Sequence, residues 1–405
     1  MSQASQKKEG LAAWLPIIGL AFAAFVFNTS EFVPVGLLPD IAADLGETIS
    51  FTGLMITGYA WIVAVMSLPL TVLTAKLERR RLLLMLLAFF AVCHFAALWI
   101  DNFAALMSSR VGVALTHSIF WSIMTPLAAR MAPLGKRAVG LAAVMGGTII
   151  ATVLGVPIGT QLGHMFGWQE TFFLIGVMAS AVWLLIYKTL PVCKSTRAGS
   201  LRSLPDLLRR PPLLQLYALT VITMLGQFAV YSYISPILTG VAGYSDADVV
   251  TVLFIFGIAG ILGTVLSSRF VDRYPSASLV LPLVLIAVSH IGLNYFAQDR
   301  IALLGLCVLW GAAMTSICMA FQTVLLNVAS DAADVAASLY SGIFNIGIGG
   351  GAFIGSQVSE SFGFAPVPFV GAALVSISIA LVLVVWMRTG AAVLPMRNSR
   401  FSNDT

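Results

Sequence analysis

One carboxylate in this chain stands where hydrocarbon should surround it. Glu31 lies in the run N-T-S-E-F-V-P-V-G-L-L-P, residues 28–39, and is the only acidic residue well inside a long apolar segment. An ionisable side chain at membrane depth costs about 2.5 to 3.5 kcal/mol on insertion scales, so it faces a cavity or a partner. Arg110 is the one basic residue placed the same way, and His117 and Trp121 follow it seven and eleven residues later. At that spacing the three share one face of a helix. Glu31 and Arg110 are each about eight or nine residues from the same edge of the membrane, roughly 12 to 14 Å deep, so they can meet. Guanidinium binds carboxylate in a bidentate way, a contact that holds until another ligand or a rearrangement weakens it. An imidazole titrates near physiological pH, so His117 is suited to take or relay the proton involved. The chemistry implied is proton binding and release inside an apolar bundle, with Glu31, Arg110 and His117 as its residues. A static pair that only fixes packing is the alternative.

Other chemistry is missing from the sequence. It has no G-x-x-x-x-G-K-[ST] run to cradle a nucleotide, no H-E-x-x-H, and no clustered Cys and His for a metal. We therefore expect no covalent catalysis, no resident metal or organic cofactor, and no ATPase subunit; the proton is the coupling ion. Of four cysteines, Cys93, Cys307 and Cys318 fall in apolar runs and Cys193 in a polar connection, so no outer-face disulfide is expected.

The elements that must position these residues follow from composition. With 59% hydrophobic and 10% charged residues and a mean hydropathy of +0.97, the chain is far from soluble composition, where about a quarter of residues are charged. Its net charge of +5 does not imply nucleic acid, because the charges sit between apolar spans rather than on a basic face. Runs long enough to cross a bilayer core of about 30 Å fall at 12–39, 51–75, 82–100, 103–129, 138–165, 169–188, 213–240, 247–270, 278–297, 301–328, 333–358 and 366–388. The fold class is an all-α membrane protein of twelve helices in contact with lipid. The first run follows Lys7 and Lys8 but is too long for a signal peptide and lacks a cleavage site, so it is expected to stay.

Basic residues collect in alternate connections, from Lys76, Arg79, Arg80 and Arg81 to Arg269 and Arg273, while Asp40, Asp44, Glu47, Asp246, Asp248 and Asp299 mark the others. By the positive-inside tendency both termini are cytoplasmic. The polar stretch 190–212 divides the chain into a six-helix bundle over 1–189 and another, with a short tail, over 213–405. The halves repeat at an offset of 196 residues: Gly155, Ile158, Gly159, Thr160 and Gln161 map onto Gly351, Ile354, Gly355, Ser356 and Gln357, and His94 onto His290. Internal repeats of this kind are a mark of secondary transporters.

Twelve helices arranged as six plus six, with the run T-S-E-F-V-P-V-G-L-L-P-D-I-A, resemble the major facilitator superfamily in its drug/proton antiporter branch. R-V-G-V-A-L-T-H-S-I-F-W-S from Arg110 to Ser122 and A-T-V-L-G-V-P-I-G-T-Q-L-G from Ala151 to Gly163 are most similar to bacterial sugar-efflux and arabinose-type exporters. The resemblance implies two pseudo-symmetric bundles that alternate access to a central site. It implies a hinge at Gly155, Pro157 and Gly159, with Gly351 and Gly355 as their repeats. In the superfamily the loop after helix two reads G-x-L-A-D-R-x-G-R-R; here Ala75 and Glu78 replace its aspartate and second glycine, and S-R-F-V-D-R with Arg269 and Asp272 can serve as the latch instead.

For cargo, the polar and aromatic residues at mid-depth are Asn28, Tyr59, Trp121, Gln227, Tyr231, Tyr233, Gln322 and Asn345. Amides with aromatic faces suit small neutral sugars. Gln227 occupies the repeat position of Glu31, an amide in place of an acid. The resemblance points to a proton-coupled exporter of arabinose-type sugars and galactoside analogues, acting as a monomer in the bacterial inner membrane. A multidrug/proton antiporter and a sugar importer of the same fold remain open, as does a membrane-embedded enzyme.

Overall fold

The computed structural model describes residues 13–133, 136–193, 204–271 and 273–389. Among them twelve helices are long and apolar enough to cross a membrane. They are α1 (Leu15–Gly36), α2 (Ile49–Leu73), α3 (Arg79–Trp99), α4 (Phe103–Met131), α5 (Val139–Phe166) and α6 (Trp168–Thr189), then α7 (Pro211–Tyr231), α8 (Asp246–Phe270), α9 (Pro275–Phe296), α10 (Arg300–Val328), α11 (Val335–Phe362) and α12 (Val367–Val385). The limits expected from sequence hold within a few residues, except at α7. Helices suit this solvent because each satisfies its own backbone polar groups.

Helix starts are written in short polar residues. The Asn102 side chain accepts from Ala105 N at the head of α4, Asp299 accepts from Ile301 and Ala302 at the head of α10, and Ser245 with Asp248 forms a reciprocal capping box on α8. Proline ends two helices early. α1 stops at Gly36, and a short helix Leu38–Leu45 restarts with Pro39 in its first turn. The 213–240 run is likewise not one helix: α7 ends at Tyr231 and the chain continues through Ile234–Pro236 and a wide turn at Ile237–Val241. Pro236 lacks the N–H that would bond Ser232, and its ring crowds that carbonyl. Gly36 and Ser232 are 196 residues apart, so both breaks fall at the same place in the repeat.

The chain forms two compact units, one of Met1–Glu47 with Val65–Ala198, the other of Thr48–Ala64 with Gly199–Thr405. The first part of α2 therefore groups with the second unit. There the Ser50 and Ser359 hydroxyls lie 2.8 Å apart, Ser356 donates to the Ser50 carbonyl at 2.8 Å, and Trp61 packs on Phe353.

In the first unit, α5 lies along α1 through glycines. A Cβ at Gly147, Gly155, Gly159 or Gly163 would collide with Ala21, Thr29, Val33 or Leu37, each pair 126 residues apart. A constant separation means two parallel helices in fixed register. The second unit repeats it: Gly351 faces the Leu225 carbonyl and Gly355 the Ala229 carbonyl, again 126 apart. Small residues let backbones approach where lipid gives helices no hydrophobic reason to associate. Between Gly147 and Gly159 the helix widens into a π turn over Ala151–Gly155, just before Pro157. Pro157 has no N–H for the Val153 carbonyl, so one wide turn absorbs the mismatch.

The heads of α1 and α7 are pinned by different forces at equivalent positions. Lys136 Nζ sits 5.8 Å from the Trp14 ring centre, a cation–π contact. Arg210, 196 residues after Trp14, makes a bidentate pair with Asp331 at 2.6 and 2.7 Å and also donates to the Val328 carbonyl.

The seam yields a direct check. Gly351→Ala places a methyl 2.5 Å from the Leu225 carbonyl oxygen, and overpacking of this kind costs about 1 to 3 kcal/mol. Gly146→Ala, with nothing within 4 Å, is neutral or slightly stabilising. Thermal unfolding of the two purified variants in detergent should separate them by several degrees.

Candidate functional site

Three helices of the first unit bring the chemistry together. α1 supplies Asn28, Ser30 and Glu31, α3 supplies His94, and α4 supplies Arg110, His117 and Trp121. A floor of stacked rings supports them: Phe27 lies 3.9 Å from Phe120 and 4.3 Å from Phe90 between ring centres.

His117 is the centre of the group. Its Nε2 accepts a hydrogen bond from the Trp121 indole at 2.7 Å and lies 3.6 Å from Glu31 Oε2. Because Nε2 accepts, it carries no proton in this arrangement, and it becomes an ionic partner of Glu31 only when protonated. The side chains of His117 and Glu31 are 2% and 10% exposed, whereas Trp121 is half-buried.

Arg110 reaches the same turn of α1. It donates to the Ser30 carbonyl at 3.2 Å and the Ser30 hydroxyl at 3.5 Å, and its guanidinium lies 5.6 Å from the centre of the Phe172 ring. It acts on both Glu31 and His117 as a nearby positive charge. The sequence reading has Glu31 meeting Arg110 with His117 as relay; in the structure the imidazole stands within 3.6 Å of the acid and the guanidinium bonds the adjoining serine.

His94, marked in the sequence only as the repeat partner of His290, joins this network. Its Nδ1 is 2.9 Å from the Phe90 carbonyl, which can only accept, so Nδ1 carries the proton and Nε2 accepts from the Ser30 hydroxyl at 2.8 Å. Ser30 thus stands between Arg110 and His94. Sequence reasoning missed Ser30, and the available signal was a small hydroxyl beside the lone acid. Asn28 donates to the Thr148 carbonyl and toward Thr152 at 3.3 and 3.4 Å, tying α1 to the wide turn of α5.

The second unit holds a neutral counterpart. At the 196-residue offset, Ser30, Glu31 and Arg110 become Gly226, Gln227 and Leu306, while His94 keeps its histidine as His290. Gln227 accepts from the Trp310 indole at 2.6 Å, and His290 stands edge-on to Trp310 at 4.9 Å. Tyr231 packs against Phe256 and Trp310. The Tyr233 hydroxyl donates to the Ala352 carbonyl at 3.0 Å, and its ring fills the space at Gly53 and Gly355.

Gln227, Tyr231 and Tyr233 are therefore buried core residues, with the Gln227 amide oxygen and the Tyr233 hydroxyl engaged inside the bundle. Tyr59 is buried, Asn345 donates to the Ser341 carbonyl of its own helix at 3.0 Å, and Gln322 is exposed. Of the residues singled out for cargo, Asn28 and Trp121 lie on the two helices that carry Glu31 and His117. Gly155 and Gly159 face α1, and Gly351 and Gly355 face α7, so the contact they make is close packing within each unit.

The family model described as Major Facilitator Superfamily matches residues 20–348. This chain belongs to that superfamily. It is a multi-pass membrane transporter, not an enzyme. It is 44% identical over 372 residues to a probable sugar efflux transporter of Mannheimia succiniciproducens, covering 92% of this chain and 94% of that one. Among solved structures it is similar in fold to a bacterial homologue of the human lysosomal transporter Spinster. The inward-facing unoccupied form matches with a TM-score of 0.75 at 13% identity, covering 91% of this chain and 96% of that one. The inward-facing occupied form gives 0.72 at 16% identity, covering 92% and 96%.

The loop that in this superfamily carries an aspartate has a different construction here. Glu78 accepts from Arg80 N and Arg81 N at 2.8 Å, capping α3, and from Cys193 N at 2.6 Å beyond the end of α6. Arg79 closes the end of α2 through the Thr74 and Ala75 carbonyls. In the transporter's other half Arg269 is exposed, and Asp272 lies outside the described residues.

Burial alone would push the Glu78 carboxyl up, but its three backbone N–H donors and the nearby Arg80 charge hold it below the usual carboxylate range. Its stabilising contribution is thus complete above the unfolded-state pKa and lost as pH falls through the lower folded-state value. Glu78→Ala should cost about 1 kcal/mol at neutral pH. The gap from wild type, followed by thermal unfolding, should close as the solution is acidified below the carboxylate range.

Proposed function

We propose that this transporter exports small neutral sugars, arabinose-type sugars and galactoside analogues, in exchange for protons across the bacterial inner membrane. It works as a monomer with both termini cytoplasmic. The observation that carries the proposal is the Glu31 carboxylate 3.6 Å from the His117 imidazole, inside the packed face of α1 and α4. An ionisable acid at this depth is costly, and a proton carrier supplies a reason for it. Similarity to the probable sugar efflux transporter of Mannheimia succiniciproducens supports the sugar and the outward direction. Arabinose is small and uncharged, and Asn28 and Trp121 offer an amide and an aromatic face beside the titrating pair.

The energetics favour this assignment. A proton entering through an inside-negative membrane releases about 2.3 kcal/mol per 100 mV, and each 1.4 kcal/mol is a tenfold ratio. One proton per neutral sugar thus sustains an outward ratio of roughly 40 per 100 mV. Such an exchange is electrogenic.

Proteoliposomes with an imposed pH gradient test it. Wild type should move labelled arabinose against its gradient, and Glu31→Gln should abolish proton-driven movement while remaining folded and inserted. Arabinose flux that ignores both pH gradient and membrane potential would make the protein a facilitator and remove the role given to Glu31.

A further inference from the structure

The assignment of a sugar/proton exchanger leaves open how one ligand displaces the other, and the group around His117 supplies a device. His117 Nε2 has one lone pair. It is occupied by the Trp121 N–H at 2.7 Å, and Glu31 Oε2 stands 3.6 Å from the same nitrogen. Indole N–H is a donor only, so it cannot stay bonded to a nitrogen that itself bears hydrogen. Trp121 and a proton therefore compete for one atom.

The two neighbours of His117 differ in access. The imidazole is buried beside Phe27, whereas Trp121, edge-on to Phe120, is only half-buried. A cargo molecule can touch the indole without touching the histidine. The apolar face of a pyranose or furanose ring packs on a flat aromatic surface, and a surface held in one orientation binds better than one that must be ordered on binding. The hydrogen bond to neutral His117 holds Trp121 in that way.

We propose that Trp121 is the sugar platform and that His117 locks it when neutral and releases it when protonated. This rests on the sugar/proton exchange reading above. The step is a proton transfer: a proton from hydronium, which leaves water, or from the Glu31 carboxyl bonds to Nε2, and the indole N–H gives up its hydrogen bond. If Glu31 is the donor, carboxylate and imidazolium remain as a pair. The coupling has the sign that antiport requires: proton binding weakens the platform and, by linkage, bound sugar disfavours the proton. Glu31 on α1 and Arg110 on α4 are the charged groups facing His117 among the described residues. His94 on α3 is connected to them through Ser30 and keeps its own acceptor engaged by the Ser30 hydroxyl. Arg110 thus biases both positions of the proton.

The test is equilibrium binding of labelled arabinose to purified transporter at about pH 8 and about pH 5.5, values that bracket the ordinary imidazole range. A single hydrogen bond of this class corresponds to an affinity change of about two- to tenfold, so wild type should bind that much more weakly at the lower pH. Trp121→Phe keeps an aromatic face but has no N–H; it should bind at both pH values as weakly as protonated wild type. His117→Gln offers a non-titrating acceptor near the Nε2 position, so whatever its affinity it should bind equally at the two pH values.

A wild-type pH dependence that survives in Trp121→Phe, or in His117→Gln should the first variant not fold, overturns the switch. Complete absence of arabinose binding by wild type at both pH values would instead overturn the substrate reading on which it rests.

Discussion

The contact on which the candidate site depends is the one Arg110 makes with the backbone of α1. A guanidinium inside an apolar bundle has no water to return to, and the donors it carries fix it to the Ser30 carbonyl and hydroxyl. That anchor sets the depth and rotation of α4 against α1. Everything else follows from it: His117, two turns further along α4, arrives opposite Glu31, one residue beyond Ser30, and Trp121 a turn later closes over the imidazole. The Phe27, Phe90 and Phe120 stack leaves that geometry little freedom to relax.

The two units show what happens when the charged anchor is absent. With Gly226, Gln227 and Leu306 at the corresponding places, the second unit keeps the histidine and gains Trp310, whose indole donates to the Gln227 amide oxygen. The helical register is the same, since both glycine seams keep the 126-residue separation. One scaffold therefore supports a charged interior on one side of the repeat and a neutral interior on the other.

The fold was legible because its causes are local and one-dimensional. Apolar runs of membrane length, basic residues between alternate runs, and a repeat at 196 residues each act through the bilayer rather than through tertiary detail. The site was legible to the level of its lone acid and the helix face bearing Arg110, His117 and Trp121. Which of these would touch was not, because depth in the membrane is readable from sequence but helix rotation is not. Hence Ser30 and His94, which carry no charge pattern, went unrecognised. The break after Tyr231 was missed because Pro236 sits inside an apolar run that composition alone reads as one span. Glu78 was treated as a gap in a known loop, although its offset from Arg80 and Arg81 is that of a helix cap.

The glycine seams lie on positions distinct from the side chains around His117. Gly147, Gly155, Gly159 and Gly163 meet α1 through Ala21, Thr29, Val33 and Leu37, whereas Asn28 and Glu31 stand at other positions on that helix. The seam thus joins α1 to α5, while the group around His117 joins α1 to α4. With Trp121 as the proposed platform, retargeting the protein to another solute would proceed by exchanging residues around it while the seam is left alone, so that a library confined to those positions samples new cargo on an unaltered scaffold.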